Sequence, residues 1–162
     1  MSAQPAMLGG PRRFGERPTH FSTGHVNTAE AVEFLARSRV ARLATVRPDG
    51  RPHVVPITFA VTGDTIVTMV DQKPKTTTRL QRLANIEAQP SVSVLVDEWS
   101  EDWDRLRWVR VDGSAVIHRE GVTWQEAQDG LLAKYPQYRD HPPDGVAIAI
   151  SIDHVRSWAS TE

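Results

Sequence analysis

At 162 residues and a formal net charge of −1, the chain is long enough to bury one sizeable core and carries no overall charge that would draw it to nucleic acid. Charged residues make up 24% and hydrophobic residues 40%, a soluble globular balance, and no apolar run approaches the ~20 residues of a membrane span. Cysteine is absent, which excludes disulfides, thiol catalysis and thiolate-bound metals and fits a reducing cytoplasm.

Residues 1–24 are rich in Gly, Pro, Ser and Arg without periodicity and read as a flexible arm ahead of one domain over 25–162. The arginines of MSAQPAMLGGPRRFGERP are not followed by an apolar stretch, so no signal peptide is expected. NTAEAVEFLARS predicts a helix over 28–38, capped by Asn27 or Thr28, with Val32, Leu35 and Ala36 as its apolar stripe.

The period then changes. VARLATV (40–46) alternates as a half-buried strand does, and RPDGRP is turn chemistry. HVVPITFAV (53–61) reads as a second strand in which Pro56 must sit at an edge, a bulge or an irregular point. TGD closes a hairpin into DTIVTMVD (64–71). A helix over 76–87 follows, then strands at SVSVLVDEW (91–99) and LRWVRVDGSAVIHRE (106–120), the second bent or bulged at Gly113. Helical spacing returns over 122–134, and GVAIAISI (145–152) is a last core strand. These are about six strands joined mostly by short turns, with single helices between, which predicts a mainly β antiparallel barrel with helices packed outside it.

Several chemistries are missing. There is no G-x-G-x-x-G after a strand, no phosphate loop ending in G-K-[ST] and no G-x-S-x-G. The histidines at 20, 25, 53, 118, 141 and 154 lack compact ligand spacing, so no metal site is expected; His53 and His118 read as surface or hydrogen-bonded side chains. The acidic stretch DEWSEDWD (97–104) lacks the order and turn glycine of a calcium loop and reads as solvated.

One stretch does carry chemistry. In DQKPKTTTRLQRL, Pro74 fixes a turn, and Lys75, Arg79 and Arg82 are spaced to share one helical face beside Leu80, Leu83 and Ala84. Cations at a helix start oppose the helix dipole, so an external anion is implied, wrapped by the hydroxyls of Thr76, Thr77 and Thr78 and by free amides.

The ordered set LAT…DGRPHVVPI, KPKTTTRLQRLANIEAQPSVSVLVD and VRVDGSA resembles the split-barrel superfamily of the pyridoxamine phosphate oxidase type, best in its branch using the deazaflavin coenzyme F420. The resemblance spans about residues 28–158. It implies an antiparallel split β-barrel of the FMN-binding type. It also implies that the cofactor phosphate is held by Lys73, Lys75, Thr76 and Thr77 with Arg79 nearby. Val54, Val55, Pro56, Ile57 and Thr58 resemble the stretch lining the cofactor ring. Trp108 resembles an aromatic position given to the site by a second subunit. Related chains often carry a polar residue where Pro56 stands, which leaves backbone groups to bond the ring. A second phosphate site, as a true pyridoxamine phosphate oxidase requires, has Arg156 as its one candidate in the tail.

The expectation is a cytoplasmic homodimer transferring hydride between F420 and a small organic substrate, with no protein acid or base identified as catalytic, no nucleic acid and no membrane partner. The alternatives are an FMN-binding oxidase or reductase on the same fold, and a flavin- or haem-binding module without turnover. Four of the five tryptophans fall between residues 99 and 124, as anchors for a subunit interface. Loops 97–105 and 136–145 are expected to wall the substrate pocket.

Overall fold

Alternation in the sequence becomes sidedness in the structure, a computed structural model that describes residues 28–70 and 80–160. Its helices are α1 (Thr28–Arg37), α2 (Gln81–Ala88) and α3 (Val122–Lys134). The strands are β1 (Ala41–Val46), β2 (Pro52–Ile57), β3 (Ala60–Thr62), β4 (Thr65–Met69), β5 (Ser91–Glu98), β6 (Arg107–His118), β7 (Ala147–Ser151) and β8 (His154–Ala159). In β1, Ala41, Leu43 and Thr45 point inward while Arg42 and Val46 are exposed. In β5, Val92, Val94 and Val96 take the inner face. One apolar set of each strand therefore builds the main core, together with Phe59, Ile66, Val109, Val111, Ile148 and Ile150.

All pairings are antiparallel, in the order β2-β1-β5-β6-β7-β4-β3, with β8 added on β6. The long strand β6 belongs to both halves of the barrel. Arg107 to Asp112 pair with β8, and Ala115 to His118 pair with β7. The change of partner falls at Gly113, where a Cβ would stand 1.8 Å from the Ser151 carbonyl oxygen. Gly113 thus permits the close crossing that the sequence predicts there as a bend.

The mainly β antiparallel split barrel with flanking helices is as expected, but the described residues hold eight strands rather than six. The run 53–61 divides at Thr58 and Phe59 into β2 and β3, and the tail 154–159 forms β8, which the sequence reading left unassigned. Its register on β6, Trp108 opposite Trp158 and Val111 opposite Val155, shows why: β8 is ordered by its partner strand, and its own pattern is only half buried.

β4 and β7 are apolar on both faces because the core covers one and α3 the other. Ala127, Leu131 and Tyr135 meet Ala60, Val67, Met69, Ala147 and Ala149 there. In α1 the buried stripe is Ala31, Phe34 and Leu35; Ala36 is exposed and Val32 only half buried, one step round from the predicted face.

The second helix needs a larger correction. Within the described residues it begins at Gln81, and Leu80 is extended (φ −72°, ψ 129°), so no helix runs unbroken from 76 to 87. Of the three cations expected on one helical face, Arg82 lies on α2, and Lys75 and Arg79 lie outside the described residues. The helix keeps its anchor, with Leu83 and Ile86 packed on the core.

Candidate functional site

Lys73, Lys75, Thr76, Thr77 and Arg79 lie outside the described residues. Their boundaries are fixed at both ends. The strand before them closes with the Val70 amide donating to Val146 O at 3.0 Å, and Gly145 lies against the Val70 carbonyl, where a Cβ would stand 2.2 Å away. The segment rejoins the described chain at Leu80. There α2 is held by Asn85, whose Nδ2 donates to Thr45 Oγ1 (2.9 Å) while its Oδ1 accepts from Gln81 Nε2 (2.8 Å). Asn85 and Thr45 are buried, so this seam satisfies groups that would otherwise be costly inside the barrel wall. His53 stands 3.4 Å from the same hydroxyl, the hydrogen-bonded histidine that the sequence suggests.

The ring-lining stretch lies on β2, at one end of the sheet order. Register pairs Pro56 with Arg42 and Val55 with Leu43. Val55 and Ile57 consequently turn toward the core, while Val54 and Pro56 face outward. Among the described residues β2 pairs only with β1, so its other edge presents backbone N–H and C=O groups. Pro56 sits on this edge strand, where its missing N–H is tolerated. A heteroaromatic ring laid along this edge could bond main-chain groups.

Thr58 ends the stretch and turns into a cleft. Its hydroxyl lies 2.9 Å from Tyr138 Oη, and its carbonyl accepts from Thr68 Oγ1 at 2.7 Å. The cleft has a volume of about 950 Å³, and Arg39, Val40, Tyr135, Tyr138, His141 and Pro143 are among its walls. Loop 136–144 supplies most of one side, whereas no residue of loop 97–105, the other expected pocket wall, lines this cleft. Tyr135 is fixed: its hydroxyl accepts from the Phe59 amide (3.0 Å) and lies 2.9 Å from the carbonyls of both Phe59 and Arg39. Burial pushes its phenol up from the ordinary value. The Arg39 guanidinium sits 4.6 Å over the Tyr135 ring and donates to Lys134 O at 2.7 Å. Lys134 Nζ lies 3.8 Å over the Phe59 ring, buried and, among the described residues, without a hydrogen-bond partner. Desolvation, with Arg39 adding repulsion, lowers its pKa to about 8.

Sequence reasoning missed Arg39, Lys134, Tyr135 and Tyr138. A signal existed in Lys134-Tyr135-Pro136-Gln137-Tyr138, two aromatics flanking a proline just after a helix, but an apolar–polar pattern does not show that both reach the barrel end.

Trp108 lies elsewhere in this chain, on β6 opposite Asp97 and Trp158, half buried beside Phe34 and Arg107. The same outer face carries Arg42 bonded to Asp97 at 2.6 Å. Ser93 Oγ donates to Asp112 at 2.6 Å, and this bond and Arg110 hold the Asp112 carboxyl below its ordinary range despite burial. Arg107 pairs with Glu98, lowering that carboxyl too. Val46, Val54 and Leu95 are exposed there, and Trp99 and Trp103 stand 69% and 66% exposed beyond it. Arg156 is also exposed, opposite Arg110 on β6. Among the described residues no cluster of His, Asp and Glu could hold a metal ion, and no helix is long and apolar enough to cross a membrane.

Comparison with known proteins agrees with this architecture. The chain is 27% identical over 126 residues to an F420H(2)-dependent biliverdin reductase of Mycobacterium tuberculosis, covering 78% of this chain and 84% of the relative. A conserved hypothetical protein of Mycobacterium tuberculosis superimposes with a TM-score of 0.70 at 25% identity, covering 89% of this chain and 91% of that one. The haem storage protein HutZ of Vibrio cholerae superimposes with a TM-score of 0.63 at 17% identity, over 81% of this chain and 92% of that one, a likeness of fold. The family model described as pyridoxamine 5'-phosphate oxidase matches residues 28–159, so the chain belongs to that family.

Proposed function

We propose that the protein is an F420-dependent oxidoreductase acting on a small organic substrate. The observation that carries this reading is the similarity, over most of both chains, to a reductase that uses F420H(2). The fit of the described residues supports it. The edge of β2 that is unpaired among the described residues offers main-chain donors and acceptors to a planar ring, and Thr58 leads from that edge into a cleft large enough for a substrate. When bound, reduced F420 supplies a hydride to an electron-poor carbon of the substrate, whose neighbouring atom takes a proton from solvent.

The chain's own part is binding, orientation and exclusion of water. Val54, Pro56 and the β2 backbone would support the ring. Lys73, Lys75, Thr76 and Thr77, with Arg79, would hold the phosphate. Arg51 and Arg82 would extend the basic groove toward the cofactor's anionic tail. A second copy of the chain would cover the outer face of β2, β1, β5, β6 and β8, where Val46, Val54 and Leu95 are exposed, and its Trp108 would complete the site.

The test is a single-turnover experiment. Reduced F420 mixed with the protein and a panel of small quinones and conjugated enones should be reoxidised faster than in buffer by at least one acceptor. Reoxidation no faster than in buffer across the panel, with F420 shown to be bound, would leave a binding module rather than an enzyme.

A further inference from the structure

We infer that the groove between α1 and the β6–β8 pair is a docking seat for the chain's own N-terminal arm, with residues 12–17, RRFGER, laid across it and the Phe14 ring inside. The groove has a volume of about 240 Å³, and Ala31, Phe34, Trp108, Val109, Trp158 and Ala159 form most of its wall. Small-molecule sites run from about 300 Å³ upward, so this space suits one or two side chains rather than a cofactor or substrate. Its rim is already arranged around a ring: Arg107 stacks 4.4 Å and Arg37 5.5 Å over Phe34. A further aromatic side chain would meet ring and guanidinium planes there.

Charge favours this occupant. Glu30 and Glu33 line the groove together with Arg37 and Arg107. Arg37 lies 4.0 Å from Glu33, and Arg107 donates to Glu98 at 2.7 Å. Glu98 stands at the head of loop 97–105, where Arg105 shares its carboxylate and Glu101, Asp102 and Asp104 are exposed. Asp97 is taken by Arg42. The other six carboxylates thus meet three guanidiniums, and Glu30, Glu101, Asp102 and Asp104 have no ion pair among the described residues. Residues 12–17 hold three arginines and one glutamate, the opposite excess. The exposed rings of Trp99 and Trp103 give those arginines faces to stack on.

Reach allows it. The arm joins the described chain at Thr28, the first residue of the helix that walls the groove. With 10 residues, α1 is about 15 Å long. The eleven residues from Arg17 to Thr28 span up to about 36 Å, enough to turn back along the helix. A tether of this length holds the segment at roughly millimolar local concentration, so modest contacts suffice. The docking does not rest on the F420 reading. It bears on that reading because Trp108 lines the groove and is the side chain that a second copy would lend to the cofactor.

The chain has no cysteine, so Gly10→Cys carries a single nitroxide for an amide-broadening experiment. Two samples of the full chain at low salt separate the sources of broadening. In the first, isotope-labelled chains carrying the nitroxide are diluted into unmodified chains, which reveals contacts within one chain. In the second, isotope-labelled chains without nitroxide are mixed with nitroxide chains without isotope, which reveals contacts between chains. The amides of Arg107, Val109 and Trp158 lie on strands that the tether does not itself hold near residue 10. They should lose most of their intensity in the first sample and keep it in the second. Arg12→Glu with Arg13→Glu should restore that intensity, as should raised salt. Even broadening over the surface, a maximum on another face, or a pattern indifferent to the charge reversal overturns the inference. Broadening of the groove in the second sample overturns it too, because a second copy's arm then fills the groove. The two samples decide the matter even if the charge-reversed variant fails to fold.

Discussion

Asn85 on α2 donates to Thr45 on β1 at 2.9 Å, with both side chains buried, so a single amide ties the helix after the 71–79 segment to the barrel wall. Replacing Asn85 by Ala leaves the Thr45 hydroxyl short of a partner and opens a void. The loss should be about 2–3 kcal/mol in urea denaturation. In the double change Asn85→Leu with Thr45→Val, part of the loss should return, a coupling of about 1 kcal/mol. Strict additivity would mean that the bond contributes nothing.

At Gly113 the expected effect is larger. A Cβ there would stand 1.8 Å from Ser151 O, a backbone atom that cannot swing aside. Gly113→Ala should therefore cost about 3 kcal/mol or more, or give no folded protein, because β6 and the β7–β8 corner must separate. Gly50→Ala is a contrast. Its φ of +82° is strained for alanine but no atom lies within 4 Å, so the cost should be only about 1 kcal/mol. Thermal unfolding of the two variants checks the order.

That crossing also shows how far the sequence could be read. Alternation in 40–46, 91–99 and 106–118 sorted inner from outer faces, and the glycine in VRVDGSA marked the bend. Helices α1 and α3 followed from their spacing. β8 escaped because HVRSWA pairs only where β6 has already been laid beside it, a non-local condition. The start of α2 was misread because side-chain spacing does not show that the backbone at Leu80 is extended (φ −72°, ψ 129°). The cleft residues Arg39, Tyr135 and Tyr138, with Lys134 behind them, come from two places far apart in the chain, and only folding brings them together.

Lys134 makes a prediction about pH. Its pKa falls from the usual 10.5 to about 8, chiefly through desolvation, so its charged form is disfavoured in the folded state. The unfolded chain binds the extra proton between those values, and stability from this group rises as pH climbs through that window. Below pH 8 the destabilisation is at its full value and constant. Lys134→Met should therefore be more stable than the unaltered chain at neutral pH, and the gap should narrow as pH rises above 8. Comparing the two proteins cancels the other alkaline titrations. A gap that stays flat from neutral pH to pH 10.5 would mean that Lys134 is fully solvated.

The proposed subunit contact centres on Val54, which is 59% exposed on the outer face of β2. Val54→Asp adds a charge to that face without disturbing the core. Sedimentation should show dimer for the unaltered chain at micromolar concentration and monomer for the variant, with cofactor affinity falling in parallel. A dimer that survives the charge places the contact elsewhere.

The most direct measurement is a fluorescence titration of F420 and of FMN into the unaltered chain and Lys75→Ala, at low and raised salt. The account predicts that F420 binds at one per chain and more tightly than FMN. Lys75→Ala should weaken F420 by about 1.5–3 kcal/mol, the range for a hydrogen bond to a charged group, and added salt should weaken the unaltered chain more than the variant. Tight FMN binding without F420 binding, or equal F420 affinity in two folded proteins, would contradict it.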